Sequence, residues 1–499
     1  MIRSINPATL ELNGEVKETD LEKLNDIFES SRKAQKLWAN LPLKVRARKI
    51  IKINEVISKQ FDEISLLISK EVGKPPSEAF TNEVYNVVDS TFHYYLSVEE
   101  ILGKEEEISL GFYESLNKRS ILLYKPIGVI CVIGPYNYPF TIPFQQIVQS
   151  LMAGNSVIFK PSSDTVLVGQ KIQEIFDNID IPENLVQTVF GEGSKIGNSL
   201  IDKADKILFT GSTSTGKKIM QRAAQTLTEV TLELGGKSAM IIFPDADIDR
   251  AVLAARWGVF TNSGQVCASV KRLYLHSDIY EPFLTKLIQY TKELRQGIPT
   301  EPGVDIGAMI NEEQLNLVDK MVKIGVNEGA KILIGGQRNP NFKGYFYEPT
   351  ILADATNDMK VVQEEIFGPV LVVLKFADED EVIEMVNNNQ YGLTSSIWTR
   401  DIKLGQKIAE EINTGTVMIN EVVYTFALAS TPWGGTKNSG IGRSHGKLGF
   451  YEVVRPLHIN IDQYIGPDLW WTPYDNNYIN IVENFKNVAK SLVIKDSED

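Results

Sequence analysis

At 499 residues, against a usual domain size of about 100–200, the chain has room for roughly three domains or lobes, which excludes a small stapled module. It is 43% hydrophobic and 23% charged, a globular composition with no stretch polar enough to read as disordered. With 51 Lys and Arg against 64 Asp and Glu the net charge is −13, the wrong sign for nucleic acid or an anionic membrane as main partner, so a small molecule is expected instead.

Thr19 with Glu22 reads as a capping box, and Leu21, Leu24, Ile27, Phe28, Ser31 and Trp38 trace one helix face, so the chain is expected to open helical. Helical patterns continue from Val45 to Val72, stop at Gly73-Lys74-Pro75-Pro76 and resume from Ser77 towards Leu102. Leu110 to Tyr124 contains two β-prone runs around Asn117-Lys118, a hairpin-like edge or contact element. After Lys125-Pro126 the short apolar runs VICVI (129–133), SVIF (156–159), VQTVF (186–190), KILF (206–209) and AMIIF (239–243) alternate with helical stretches, the pattern of a parallel sheet covered on both faces. A second series follows Cys267: RLYL (272–275), KILIG (331–335), PVLVVLKF (369–376), SSIW (395–398) and TVMI (416–419). Two α/β lobes are the simplest reading. The tail from Gly466 carries Trp470, Trp471, Tyr474 and Tyr478 before an amphipathic stretch from Ile479 to Ile494; it is expected to pack on the body or touch another subunit, with no catalytic role.

Cys131 and Cys267 are the only cysteines, too few for a disulfide framework and typical of a reducing compartment. His93, His276, His445 and His458 are scattered without H-E-x-x-H or C-x-x-C, so no metal site is expected. The N-terminal residues lack the apolar core of a signal peptide, and runs such as Val129 to Ile133 are far short of a membrane span, so a cytoplasmic protein is expected.

Three places can carry chemistry. Phe209 to Gly216 joins the KILF run to a helix near Lys217, where backbone N–H groups and the helix dipole receive phosphate. Its G-x-x-x-x-G-K spacing approaches a P-loop, but Lys218 stands where a metal-holding Ser or Thr is needed; an NTPase is thereby disfavoured, and an ordinary glycine turn is the plain alternative. Cys267 lies in the small, polar Asn262-Ser263-Gly264-Gln265-Val266-Cys267-Ala268-Ser269, which suits a nucleophile or a small buried side chain, whereas Cys131 between apolar neighbours suits packing. Glu233, in the apolar VTLELGG run, would have a raised pKa and could act as a base; it and the Glu364-Glu365 pair are otherwise read as surface ion-pair positions.

Taken in order, these segments resemble the aldehyde dehydrogenase superfamily from near the N-terminus to about Gln463. Ile133 to Pro139 is similar to its oxyanion-hole motif, Lys160 to Ser163 to its adenosine-ribose motif, and Phe209 to Gly216 to its pyrophosphate motif. Leu232 to Lys237 is similar to its general-base motif and Asn262 to Cys267 to its nucleophile motif, with Glu364 to Val370 and Thr431 to Arg443 completing the order. The resemblance implies an α/β chain with a Rossmann-like cofactor domain (1–108 and 127–234), a second α/β catalytic domain (235–435), a small β oligomerisation flap (109–126 and 436–465) and a C-terminal tail (466–499). It implies that Cys267 attacks the aldehyde carbon, that Asn137 and the Cys267 backbone N–H hold the oxyanion, and that Glu233 activates water to hydrolyse the thioester. Lys160, Ser163, Gly211, Ser212, Gly216, Glu365 and Phe367 are the implied cofactor contacts. Tyr136, where many members carry Trp, and Ser444, where many carry Glu, are departures that leave the mechanism intact.

The implied activity is NAD(P)-dependent oxidation of an aldehyde to its acid. The aldehyde is expected to be uncharged, aliphatic or aromatic, because the segment after Asn137 holds no Arg or Lys; succinic semialdehyde and glyceraldehyde 3-phosphate are the alternatives within the family. NADP is expected over NAD, because Ser163 replaces a glutamate that would repel a 2′-phosphate, unless Ser163 or Asp164 is only the cap of the next helix. A homodimer or homotetramer is expected from the flap segments. A P-loop NTPase and a non-catalytic protein on the same fold are the readings from other classes.

Overall fold

Val129–Ile133 and Ser156–Lys160 are buried at every position, as strands covered on both faces must be, and this is why VICVI and the VIF at the centre of the second are apolar without alternation. The structure, a computed structural model, describes residues 1–466, 468, 470–472, 474 and 476–493. Across the first sheet the parallel strands run Val186–Thr188, Ser156–Lys160, Val129–Ile133, Lys206–Thr210 and Glu229–Glu233, with Gly440–Ile441 added antiparallel at the far edge. Strand order reverses between Val129–Ile133 and Lys206–Thr210, so a crevice opens past Ile133 and Phe209, which lie side by side in register. Helix Thr141–Met152, buried along its whole length, follows the first of these strands, and Trp38 Nε1 donates to Leu151 O at 2.7 Å to anchor an N-terminal helix on it.

The second sheet has seven strands in the order Lys331–Ile334, Thr350–Ala353, Val370–Phe376, Arg272–His276, Ala239–Ile242, Thr394–Trp398 and Thr416–Ile419, parallel except for the first pair. Both sheets belong to one unit, Met1–Lys104 with Tyr124–Arg455. A second unit, Glu105–Leu123 with the residues from Pro456 on, holds most of a sheet in which Glu106–Ile108, Lys118–Pro126 and Val454–Asp462 are neighbours. Within it Lys118 binds Asp462 and Asp468 and lies 4.9 Å from the Trp470 ring, which meets Tyr113 edge-on. Helix Asn476–Ser491 covers most of the amphipathic stretch; Ile494 lies outside the described residues.

Several expectations are corrected. The chain opens with an antiparallel hairpin, Ile2–Ile5 on Leu12–Val16, and not with a helix. Asp20, not Thr19, caps the following turn, because the Thr19 hydroxyl is taken by the Phe190 N–H from a distant strand end. Ala239–Ile242 joins the second sheet, and Glu229–Glu233 is the fifth parallel strand of the first. The outer strand of the flap hairpin is Glu106–Ile108, since Gly111–Leu116 turns as a 3₁₀ helix ending at left-handed Asn117. Residues 436–455, expected with the flap, lie in the first unit, where Gly440 pairs with Glu233.

Candidate active site

Helix Ile248–Phe260 runs into a turn in which Asn262 (φ 49°), Ser263 (φ 54°) and Gly264 (φ 69°) are all left-handed. Such angles cost a side-chain-bearing residue about 1–2 kcal/mol each, so the surroundings must hold them. The Asn262 N–H donates to Glu78 at 2.9 Å, its side-chain amide to Asn137 O at 3.0 Å, and the Ser263 hydroxyl to Gly307 O at 3.0 Å. Gly264 has no substitute, since a Cβ there would lie 2.1 Å from Gly368 O. The buried Lys271 ammonium then ties Gly264 O (2.6 Å) to Gly368 O (2.8 Å). This frame leaves Cys267 half-buried between buried Val266 and Ala268. Burial, and then the charges of Glu233 and Glu365, push its thiol up to about 12.

Asn137 is 4% exposed, and one of its amide hydrogens goes to Gln265 O at 2.9 Å, joining its loop to the Cys267 loop and leaving the other hydrogen free. Its backbone oxygen accepts from Lys74 Nζ at 2.7 Å. Lys74 is fully buried in an ion pair with Glu83 (2.8 Å) and sits 3.9 Å from the Tyr138 ring, while Glu83 accepts the Phe140 N–H at 2.9 Å. Removing one partner of such a buried pair costs about 3–5 kcal/mol, so the Asn137 loop is held firmly.

Glu233 ends its strand with only 6% of its surface exposed. One carboxyl oxygen accepts from the Ser444 hydroxyl at 3.2 Å; the other has no partner among the described residues. Burial raises its pKa to about 8, opposed by the Ser444 bond and the Arg443 charge and helped by Glu452. Glu233 and Cys267 line one pocket, whose wall includes Ile142, Phe426, Trp433 and His445 and whose free volume of about 20 Å³ has room for a water. A thiol and an unengaged carboxyl in one pocket, with the Asn137 amide bonded to the Cys267 loop, are groups that can support addition to a carbonyl, stabilisation of the resulting oxyanion and activation of water.

The crevice presents groups that suit the implied nicotinamide cofactor. Helix Thr213–Ala223 begins there with no acidic residue in its first turn, capped by the Ser212 hydroxyl on the Thr215 N–H at 3.3 Å, and its outer residues are exposed, so its N–H groups and dipole suit a pyrophosphate. A Cβ at Gly211 would lie 2.5 Å from the Phe209 ring and one at Gly216 2.4 Å from Leu234; Gly216 thus serves close helix–strand packing. Lys160 is buried, and among the described residues its Nζ donates to Pro161 O alone, at 2.9 Å. Ser163 is half-buried with no hydrogen bond among the described residues. It is not a helix cap: the Glu71 carboxylate takes the Leu167 and Val168 N–H groups at 3.0 and 2.7 Å, and Asp164 faces Asn311 at 3.1 Å. Glu365 accepts from the Gly236 N–H at 3.1 Å, close enough that a Cβ on Gly235 would strike it, and Phe367 meets Tyr136 edge-on at 5.9 Å. These residues fit a dinucleotide.

Residues 1–459 match the profile of the Aldehyde dehydrogenase family. The chain belongs to that family. The enzyme class, an NAD(P)-dependent aldehyde dehydrogenase, goes with it. Betaine aldehyde dehydrogenase of Bacillus subtilis (strain 168) is 37% identical over 92% of this chain and 94% of its own. A putative succinate-semialdehyde dehydrogenase [NADP(+)] of Mycobacterium ulcerans (strain Agy99) is 34% identical over 90% and 88%. The solved NAD+ complex of aldehyde dehydrogenase from Bacillus cereus superposes with a TM-score of 0.88 at 32% identity, covering 93% of each chain.

In this aldehyde dehydrogenase Cys267 and Glu233 line one pocket, Asn137 is tied to the Cys267 loop through Gln265 O, Lys160 ends and Ser212 follows the two strands that flank Val129–Ile133 in the first sheet, and Glu365 reaches the Gly236 N–H next to the Glu233 strand. Sequence reasoning passed over Lys74, Glu78, Glu83 and Lys271, which lock the two loops, and His445, Phe426 and Trp433 in the pocket wall. Among the described residues no cluster of three His, Cys, Asp or Glu could hold a metal ion, and no helix is long and apolar enough to cross a membrane.

Proposed function

We propose that the chain oxidises an aldehyde to its carboxylic acid through a thiohemiacetal and then a thioester on Cys267. The Cys267 thiol gives its proton to water as its sulfur adds to the carbonyl carbon, and the Asn137 amide with the Cys267 backbone N–H holds the oxyanion. Bound NAD(P)+ supplies the hydride acceptor that turns the adduct into a thioester. Lys160, Gly211, Ser212 and Glu365 would hold that cofactor across the crevice, with Gly216 letting the phosphate-binding helix sit close and Phe367 packing against the bound group. Glu233 then takes a proton from the attacking water at its unpartnered oxygen, and the acid leaves. The observation that carries this reading is that carboxyl oxygen, buried without a partner in the pocket that Cys267 lines.

Ile142, Leu234, Phe426 and Trp433, with no Arg or Lys on the wall, support an uncharged aliphatic or aromatic aldehyde over an anionic one. A quaternary-ammonium aldehyde is the second reading, favoured by the Phe426 and Trp433 rings. NADP+ is preferred to NAD+ because the Ser163 hydroxyl is uncommitted and Lys160 stands close by in the chain. The free edge of Val454–Asp462 supports a homodimer or homotetramer, and two free thiols support a cytoplasmic setting. Turnover of hexanal, benzaldehyde, betaine aldehyde and succinic semialdehyde with either cofactor, followed by absorbance of the reduced product, tests the reading. Hexanal or benzaldehyde with NADP+ should give the highest kcat/KM; a tenfold advantage for succinic semialdehyde would overturn the substrate class, and no turnover at all the function.

A further inference from the structure

The wall of the Cys267 pocket includes two residues that each carry a buried hydrogen-bond acceptor left unengaged. His445 (2% exposed) and Gln146 (6% exposed) both line it, and His445 Nδ1 and Gln146 Oε1 have no partner among the described residues. His445 Nε2 lies 2.8 Å from Gln145 Oε1, and burial lowers the ring's pKa to about 3, so the imidazole is neutral at any working pH. With a carbonyl oxygen as its partner, Nε2 carries the single proton and Nδ1 is a bare lone pair. The Gln146 amide nitrogen donates to Thr210 Oγ1 at 3.4 Å, which leaves Oε1 as the open end.

The backbone indicates that this placement is costly to maintain. His445 has φ 63° and ψ 164°, a conformation nearly confined to glycine, and its ring is held 4.7 Å from Phe426 and 6.5 Å from Tyr94. Strain of this kind clusters at ligand-binding positions, and buried acceptors in folded proteins are matched by a donor from water or ligand.

We propose that His445 and Gln146 form a substrate subsite for a hydrogen-bond donor, and that the preferred aldehyde is an uncharged one bearing a hydroxyl group. This rests on the aldehyde-oxidation reading above. A hydroxyl is favoured over an ammonium because Glu233, the one carboxylate on this wall, is largely uncharged near neutral pH and offers little counter-charge.

The test uses the purified full-length enzyme with NADP+ or NAD+ and compares glycolaldehyde with propanal, 3-hydroxypropanal with butanal, and adds methoxyacetaldehyde and 3-aminopropanal. A site that bonds a substrate hydroxyl rejects the analogue lacking it strongly, so each hydroxyaldehyde should exceed its alkyl partner and the methoxy compound by about tenfold or more in kcat/KM. His445→Leu and Gln146→Leu should each pull that ratio towards one; the wild-type ratios stand as a test even if a variant does not fold. Equal or lower kcat/KM for the hydroxyaldehydes, with propanal and butanal still oxidised, would mean that the two atoms hold water only, overturning this inference and leaving the aldehyde reading intact. A higher value for 3-aminopropanal than for 3-hydroxypropanal would overturn the hydroxyl class in favour of an ammonium. No turnover of any of these aldehydes would overturn both readings.

Discussion

Replacing Glu233 by Gln keeps the shape of the side chain and an oxygen for the Ser444 hydroxyl at 3.2 Å, but removes the group that can take a proton from water. With the carboxyl pKa near 8, about one tenth of the wild-type enzyme carries the ionised base at pH 7 and about half at pH 8, so wild-type kcat should rise about fivefold over that interval if deacylation limits turnover. The variant should lose deacylation by on the order of 10²–10⁴-fold and lose that pH dependence. If the Cys267 thiol gives its proton to water and not to Glu233, addition to the aldehyde and formation of the thioester proceed in the variant, so rapid mixing should show a burst of reduced cofactor close to one per active site, followed by a slow steady rate. Stability should respond as well. Between the unfolded pKa near 4.5 and the folded value near 8, the unfolded chain ionises Glu233 while the folded protein keeps it protonated. The Glu233 contribution to stability is therefore present below the unfolded value and lost as pH rises through that window, and the Gln variant escapes this loss. Urea denaturation across the window should show the variant gaining on wild type. Loss of the burst together with the steady rate would refute the assignment to deacylation and move Glu233 to an earlier step.

Cys267→Ala should abolish turnover while cofactor binding, measured by calorimetry, survives; Cys131→Ala, in a fully buried strand away from the pocket, should stay active. Gly264→Ala places a Cβ 2.1 Å from Gly368 O at a left-handed angle, so it should cost at least ~1 kcal/mol in thermal or urea unfolding and slow alkylation of Cys267 by displacing its loop. Ser163→Glu should raise the KM for NADP+ far more than that for NAD+; equal losses would remove Ser163 from cofactor selection, since Glu71 already caps the neighbouring helix.

The sequence by itself determined the strands that are buried on both faces, because VICVI has no polar position that could face water and KILF only the Lys206 at its start, and it determined the order of the chemical groups along the chain. It also separated the two cysteines, since a thiol among Ile and Val differs visibly from one among Gly, Gln and Ser. What it left open were matters of distance. Glu71 caps a helix roughly a hundred residues further along the chain, Thr19 is claimed by a distant backbone, and Gly440 pairs with Glu233 from the far end of the chain. Local patterns favour the Thr19 capping box and leave Ser163 open as a helix cap, and both lose to a partner that only folding brings near. The same holds inside the site. That Glu233 keeps one oxygen free, that Lys74 and Lys271 fix the two loops, and that His445 and Gln146 leave acceptors open on the pocket wall depend on side chains from several elements converging. Hydrophobic periodicity is written into neighbouring residues and survives in one dimension; burial of a polar atom and the identity of its partner are set by long-range packing, so only the tertiary structure decided them.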